Sequence, residues 1–179
     1  MIFSQTMGAN KYPILFSSDQ IQGMVKRLGD NITKDFRGKN LIIVGVLRGS
    51  FIFMADLCRQ IDLQFQVDFV RLHSYGAQKE SSGTVQISKD IETDIKDKDV
   101  LVIEEIVDTG RTLDFLIDRL KASDPSSLKV AALLDKPSRR VVPVKIDYLG
   151  AAVEDKFLVG YGLDFNEQYR NLPAIHFLE

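Results

Sequence analysis

Residues 100–113 read VLVIEEIVDTGRTL, and their interpretation decides the fold. Val100 to Ile103 form an apolar, β-forming run of the kind found in strands covered on both faces. Two glutamates follow, Glu104 and Glu105, then Ile106 and Val107, then a small polar turn, Asp108-Thr109-Gly110-Arg111-Thr112. From Arg111 to Ala122, Leu113, Leu116, Ile117 and Leu120 recur at the three- and four-residue spacing of a helix. Strand, glycine turn and helix in immediate succession are the building unit of a parallel α/β sheet.

The same alternation extends in both directions. Upstream, Ile21, Val25, Leu28, Ile32 and Phe36 predict a helix over 18–36, with Ser18 as its cap and Gly38 as its stop. LIIVGVL (41–47) is a second doubly covered strand. Arg48-Gly49-Ser50 then leads into a helix whose expected buried face is Phe51, Met54, Ala55, Cys58 and Ile61. LQFQVDFVRL (63–72) alternates as a strand, and the polar stretch 73–88 reads as a mobile loop or loose hairpin. Downstream, Pro125 breaks the helix, and strands are expected at 129–135 and 145–153. The remainder is aromatic and irregular, with short strands at most. The expectation is an α/β fold: a mostly parallel twisted sheet with helices on both faces.

A chain of 179 residues, 45% hydrophobic, suits one domain with a real core. A net charge of -2 lacks the basic excess of a nucleic-acid binder. The single cysteine, Cys58, excludes an intrachain disulfide and fits a reducing cytoplasm. No signal peptide is read in MIFSQTMGANKYPILF, and no apolar run approaches the ~20 residues needed to span a bilayer. The expected localisation is cytoplasmic, with neither membrane nor nucleic acid as partner.

In open α/β sheets ligands bind beyond the carboxyl ends of the strands. The informative residues are therefore Arg48-Gly49-Ser50, Asp108 to Thr112, and Asp135-Lys136. A glycine turn opening a helix aims consecutive N–H groups at one point, and the helix dipole adds positive charge. With the hydroxyls of Thr109 and Thr112 this is a cradle for a phosphate monoester, although a plain capped helix start, with Asp108 or Thr109 as cap, has the same spelling. Adjacent strand residues point to opposite faces, so a continuing strand would bury one of Glu104 and Glu105. At the strand's end both can reach the crevice, to accept hydrogen bonds from a sugar diol or to hold Mg2+.

VLVIEEIVDTGRTL, taken with VGVLRGSFIFMADL, LLDKPSRR and DKFLVGYGLDFNEQYRNLP, resembles the type I phosphoribosyltransferases, and among them the 6-oxopurine branch. The similarity runs from about residue 12 to the C-terminus. It implies a Mg2+-dependent enzyme of purine salvage that joins hypoxanthine or guanine to 5-phosphoribosyl 1-pyrophosphate, giving IMP or GMP and pyrophosphate. The implied general base is Asp108. Asp108, Thr109, Gly110, Arg111 and Thr112 would hold the 5'-phosphate. Arg48, Gly49 and Arg170 would bind pyrophosphate, and Glu104 and Glu105 would meet the ribose and a metal. Asp164 would hold a second metal ion. Lys136, Phe157 and Leu158 would recognise the purine, through the 6-oxo group, ring stacking and a backbone carbonyl respectively. Ser74 and Tyr75 would sit at the tip of a lid that excludes water. Family members often carry Glu-Asp where this chain has Glu104-Glu105, and in the family the Leu47-Arg48 peptide can be cis. The implied organisation is one domain over 1–179, with a core at about 12–135, a lid at about 73–88 and a hood at about 136–179, assembled as a homodimer or homotetramer. Two other readings share the fold: a nucleotide-sensing regulator that binds RNA or a protein, and a phosphoribosyltransferase of different base preference, such as xanthine.

Overall fold

The computed structural model describes residues 12–74 and 85–178. Along the chain run β1 (Ile14–Phe16), α1 (Ser18–Asp35), β2 (Leu41–Leu47), α2 (Phe51–Gln60), β3 (Phe65–Ser74) and β4 (Val85–Lys89). Then come β5 (Asp99–Val107), α3 (Arg111–Lys121), β6 (Ser127–Asp135), a 3-10 turn (Pro137–Arg139), β7 (Tyr148–Ala152), β8 (Phe157–Val159) and β9 (Ile175–Leu178).

The main sheet has the order β4-β3-β2-β5-β6-β7. All its pairs are parallel except β3 with β4. Strand alternation sorts the side chains into two cores. Leu41, Ile43, Leu101, Ile103, Ala131 and Leu133 pack on one face with residues of α1 and α2. Ile42, Val44, Val100, Val102, Val130 and Ala132 pack on the other with Leu113, Leu116 and Leu120 of α3. Helices therefore cover both faces, as the doubly apolar strands require. Among the described residues no helix is long and apolar enough to cross a membrane.

Several local expectations are corrected. The cap of α1 is Ser17, not Ser18. Ser17 Oγ accepts from Gln20 N at 3.3 Å and Gln20 Oε1 accepts from Ser17 N at 2.9 Å, a reciprocal box that only Ser17 can make with Gln20 at the third helical position. The buried face of α2 is Phe53, Met54 and Leu57, continued by Ile61, whereas Phe51 is 46% exposed. The run FIFM is apolar throughout, so spacing alone does not choose its inner face. Of the two readings of 73–88, the described residues agree with the hairpin, since β4 runs antiparallel to β3 with Leu72 paired to Ile87 and Ser74 to Val85. Strand β5 runs two residues past the glutamates, to Val107.

A second, antiparallel sheet has the order β1-β9-β8, and this sheet with its flanking loops is called the hood. It takes β1 from residues 14–16, while β7, from the C-terminal stretch, joins the main sheet beside β6.

Chain order reverses between β2 and β5. From β2 the chain proceeds outward to β3, and from β5 it proceeds the other way to β6 and β7. Their carboxyl ends therefore diverge, and the crevice of an open α/β sheet lies at such a point. β2 and β5 pair only as far as Gly45 with Ile103, so the glutamates begin where the two strands part.

Candidate active site

Two loops flank the crevice. After β2 the Leu47-Arg48 peptide is cis. Ser50 is fully buried, and its hydroxyl donates to Val46 O at 2.6 Å, tying the loop to its own strand. Gly49 has no room for a side chain: a Cβ there would lie 1.7 Å from Glu105 Oε1. The Glu105 carboxylate thus rests on the loop backbone. Gly162 of the hood meets the same loop, since a Cβ on it would lie 2.1 Å from Gly49 O, and its φ is +100°.

After β5, Gly110 adopts φ +86° and stands as the N-cap of α3. The alternative of a plain capped helix start is not met, since neither Asp108 nor Thr109 is the N-cap. The left-handed glycine turns the chain so sharply that Thr109 Oγ1 reaches only Arg111 N, at 3.4 Å. The turn is clasped from outside, where Val141 N and Val142 N both donate to Thr109 O, at 2.9 and 3.0 Å. A cavity of about 220 Å³ opens at the turn, and Glu104, Asp108, Thr109, Gly110 and Thr112 line it together with apolar side chains. Arg111 is exposed and is not among its walls.

Glu104 and Glu105 are half-buried. Burial pushes both carboxyls up. The neighbouring Glu105 carboxylate adds to the rise at Glu104, whereas at Glu105 the Glu104 side chain and the Arg170 cation oppose it. Glu105 Oε2 is buried with no hydrogen-bond partner. Two acids that resist ionisation beside an unpartnered oxygen fit a hard dication, which takes carboxylate oxygens. Among the described residues no three Asp, Glu, His or Cys side chains form a closed metal cage, so Glu104, Glu105 and Asp164 do not enclose an ion by themselves.

On the far side, Lys136 follows β6 and is 8% exposed. Its Nζ donates to Lys156 O at 2.6 Å and faces Asp155 Oδ1 at 3.7 Å. Phe157 is 52% exposed and meets Phe165 edge to face at 5.5 Å, while Leu158 beside it is buried. An aromatic face left open next to a buried ammonium is a ready platform for a planar polar ring.

The hood also carries cations. Arg170 Nη2 pairs with Asp164 Oδ1 at 2.8 Å and with Glu167 Oε2 at 3.1 Å, and its Nη1 donates to Gly162 O at 2.7 Å. Arg48 Nη1 meets the same Glu167 oxygen at 2.6 Å. The Arg170 hydrogen bond holds the Glu167 carboxyl below its usual range. One carboxylate therefore draws together the two arginines expected to bind pyrophosphate. Of the expected lid residues, Ser74 ends β3, and Tyr75 lies outside the described residues.

Three further residues join the site, Glu167, Asp155 and Arg139. Arg139 Nε donates to Asp108 Oδ1 at 2.8 Å, and its Nη1 to Asp155 Oδ2 at 3.4 Å. Their only sequence signal is charge close to flagged positions, which ordinary surface residues share.

A model of the phosphoribosyl transferase domain matches residues 16–166. The chain is 48% identical over 166 residues to a hypoxanthine-guanine phosphoribosyltransferase of Streptococcus thermophilus, covering 93% of this chain and 92% of that protein. It is 43% identical over 176 residues to the bifunctional protein TilS/HprT of Listeria monocytogenes, covering 98% of this chain. The chain spans only 27% of the length of that relative. Among solved structures, a hypoxanthine phosphoribosyltransferase from Staphylococcus aureus superimposes with a TM-score of 0.90 at 45% identity, covering 93% of this chain and 91% of that one.

Proposed function

The chain belongs to the phosphoribosyl transferase domain family, and from that premise we propose that it is a purine-salvage enzyme transferring the 5-phosphoribosyl group to hypoxanthine or guanine. The observation that carries the reading is the cavity at the β2–β5 switch point. There a glycine turn, two hydroxyl-bearing residues and an acid meet beside a second acid from the strand.

The roles follow from the chemistry of the groups. The amides and hydroxyls of 108–112 receive the 5'-phosphate at the amino end of α3, where N–H groups and the helix dipole favour an anion. Arg111, exposed at the first helical residue, contributes its amide. Glu104 and Glu105 accept from the ribose hydroxyls. Arg48, Gly49 and Arg170 hold the pyrophosphate, so Glu167 must yield its two arginines as substrate enters. Phe157 stacks on the purine, Lys136 donates to its 6-oxo group, and the Leu158 carbonyl accepts from a 2-amino group. Asp108 takes the proton of the imidazole N–H as that nitrogen bonds to the ribose carbon and the carbon–pyrophosphate bond breaks. Mg2+ held by Glu104, Glu105 or Asp164, and completed by substrate oxygens, would neutralise charge on the leaving pyrophosphate. The lid is assigned to the segment that follows β3, with Ser74 and Tyr75 as the lid residues that the family resemblance implies. Cys58, a free thiol raised by burial, is in keeping with a cytoplasmic site of action. A homodimer or homotetramer is part of the proposal.

The test is Asp108→Asn. Turnover is expected to fall by ~10²–10⁴-fold, the usual worth of a general base, while 5-phosphoribosyl 1-pyrophosphate still binds by calorimetry. Wild-type turnover would remove Asp108 from the chemistry.

A further inference from the structure

We infer that Arg139, braced by Asp155 of the hood, positions the Asp108 carboxylate for proton transfer. The inference rests on Asp108 being the general base.

The contacts form a chain across the purine side of the crevice. Arg139 Nε donates to Asp108 Oδ1 at 2.8 Å. Arg139 Nη1 donates to Asp155 Oδ2 at 3.4 Å, and the other oxygen of Asp155 faces Lys136 Nζ at 3.7 Å. One hood carboxylate thus touches both the guanidinium on the proposed base and the ammonium assigned to the 6-oxo group.

A pair this exposed is ordinarily worth little to stability: the Arg139 and Asp108 side chains are 44% and 43% exposed. Its value here lies in direction. The donor is Nε, whose single N–H lies in the guanidinium plane and fixes the angle of approach better than a mobile ammonium. It engages Oδ1 alone. Among the described residues nothing donates to Oδ2, which is left to accept a proton from a bound ring. An unrestrained aspartate rotates broadly about its terminal torsion, so holding one oxygen fixes the aim of the other.

The backbone supports the same arrangement. Lys136 N donates to Val107 O at 2.9 Å, and Val141 N and Val142 N donate to Thr109 O. These bonds bracket Asp108 on both sides along the chain and pin the segment carrying Arg139 to the turn carrying Asp108. The guanidinium therefore arrives from a fixed base. Asp155, between β7 and β8, makes its position dependent on the hood that grips the purine.

The test uses the full chain, with kcat and both KM values measured for wild type, Arg139→Gln, Arg139→Lys, Asp155→Asn, Asp108→Asn and the Asp108→Asn/Arg139→Gln double variant. Arg139→Gln is expected to lower kcat about tenfold, with KM for 5-phosphoribosyl 1-pyrophosphate within about twofold of wild type. Arg139→Lys recovers part of the loss, and Asp155→Asn shows a smaller loss in kcat. In the Asp108→Asn background, Arg139→Gln changes kcat less than about twofold, because the group it positions is gone. An equal loss from Arg139→Gln in both backgrounds, or unchanged kcat in the single variant, overturns the inference. Wild-type turnover in Asp108→Asn instead overturns the general-base reading beneath it. Thermal melting of each variant separates misfolding from loss of aim, and Arg139→Lys keeps the question answerable if the glutamine variant unfolds.

Discussion

Gly49→Ala puts a methyl group where the structure holds a carboxylate. The added Cβ would lie 1.7 Å from Glu105 Oε1 and 2.2 Å from Glu105 Cδ. Ordinary contact is about 3.5 Å, so the carboxylate must retreat by roughly 1.5–2 Å. The obstruction is the far end of a flexible side chain, so the fold should survive at a cost of about 1–3 kcal/mol, the usual price of overpacking. The site should not survive as well. A shift of about 1 Å in a positioning group can cost on the order of 100-fold, or about 2.7 kcal/mol in transition-state stabilisation. The expected result is roughly a 100-fold loss in kcat/KM for 5-phosphoribosyl 1-pyrophosphate with a melting temperature lowered by only a few degrees. Glu105→Asp draws the carboxylate back by one methylene, about 1.5 Å, so the double variant Gly49→Ala/Glu105→Asp should recover about tenfold. Steady-state kinetics with the activated ribose varied at saturating base measure both. Wild-type kinetics in Gly49→Ala, or no recovery in the double variant, would refute the reasoning.

Three other outcomes are expected. Glu104→Gln should stabilise the protein at pH 8 by about 0.5–2 kcal/mol while reducing activity. Burial raises the Glu104 carboxyl in the folded state, so its favourable contribution is complete below the unfolded value and is lost as pH rises through the folded one; the gain in denaturant melts should therefore shrink toward pH 4.5. Asp68 behaves oppositely: burial alone would raise it, but hydrogen bonds from Thr93, Phe69 and Glu92 hold it at about 2. Asp68→Asn should therefore cost about 2 kcal/mol at pH 7, a contribution present above the unfolded pKa of about 4 and lost as pH falls toward 2, as chemical denaturation across that range would register. Lys136→Ala should raise KM for hypoxanthine by about 10–100-fold, the worth of a charge-assisted hydrogen bond, and leave KM for the activated ribose nearly unchanged; equal losses for both substrates would detach Lys136 from the base.

Long periodic segments were legible because local pattern and burial agree in them. β2 and β5 are apolar at every core position, and α1 and α3 carry clean stripes. The hood was legible only as irregular chain. β1 and β8 are three residues each, and β1 pairs with β9 across almost the whole sequence, so no local window contains the signal. At the site, the turn 108–112 and the two glutamates stood out because glycine and paired acids are unusual beside a buried strand. How the two acids divide did not: β5 runs on past Glu105 but parts from β2 after Ile103, with Glu104 on the cavity wall and Glu105 against the Gly49 backbone. Arg139 lies 31 residues from Asp108, and Glu167 lies 119 from Arg48. Such pairs exist only once the hood has folded over the sheet.

The most direct measurement of the central claim is product formation by the purified chain with 5-phosphoribosyl 1-pyrophosphate, Mg2+ and, separately, hypoxanthine, guanine, xanthine and adenine. The expected products are IMP and GMP, with stoichiometric pyrophosphate, from the first two, and little or no product from adenine, whose 6-amino group offers Lys136 no oxo acceptor. Turnover of adenine in preference to the 6-oxopurines, or no turnover of any base, would contradict that claim.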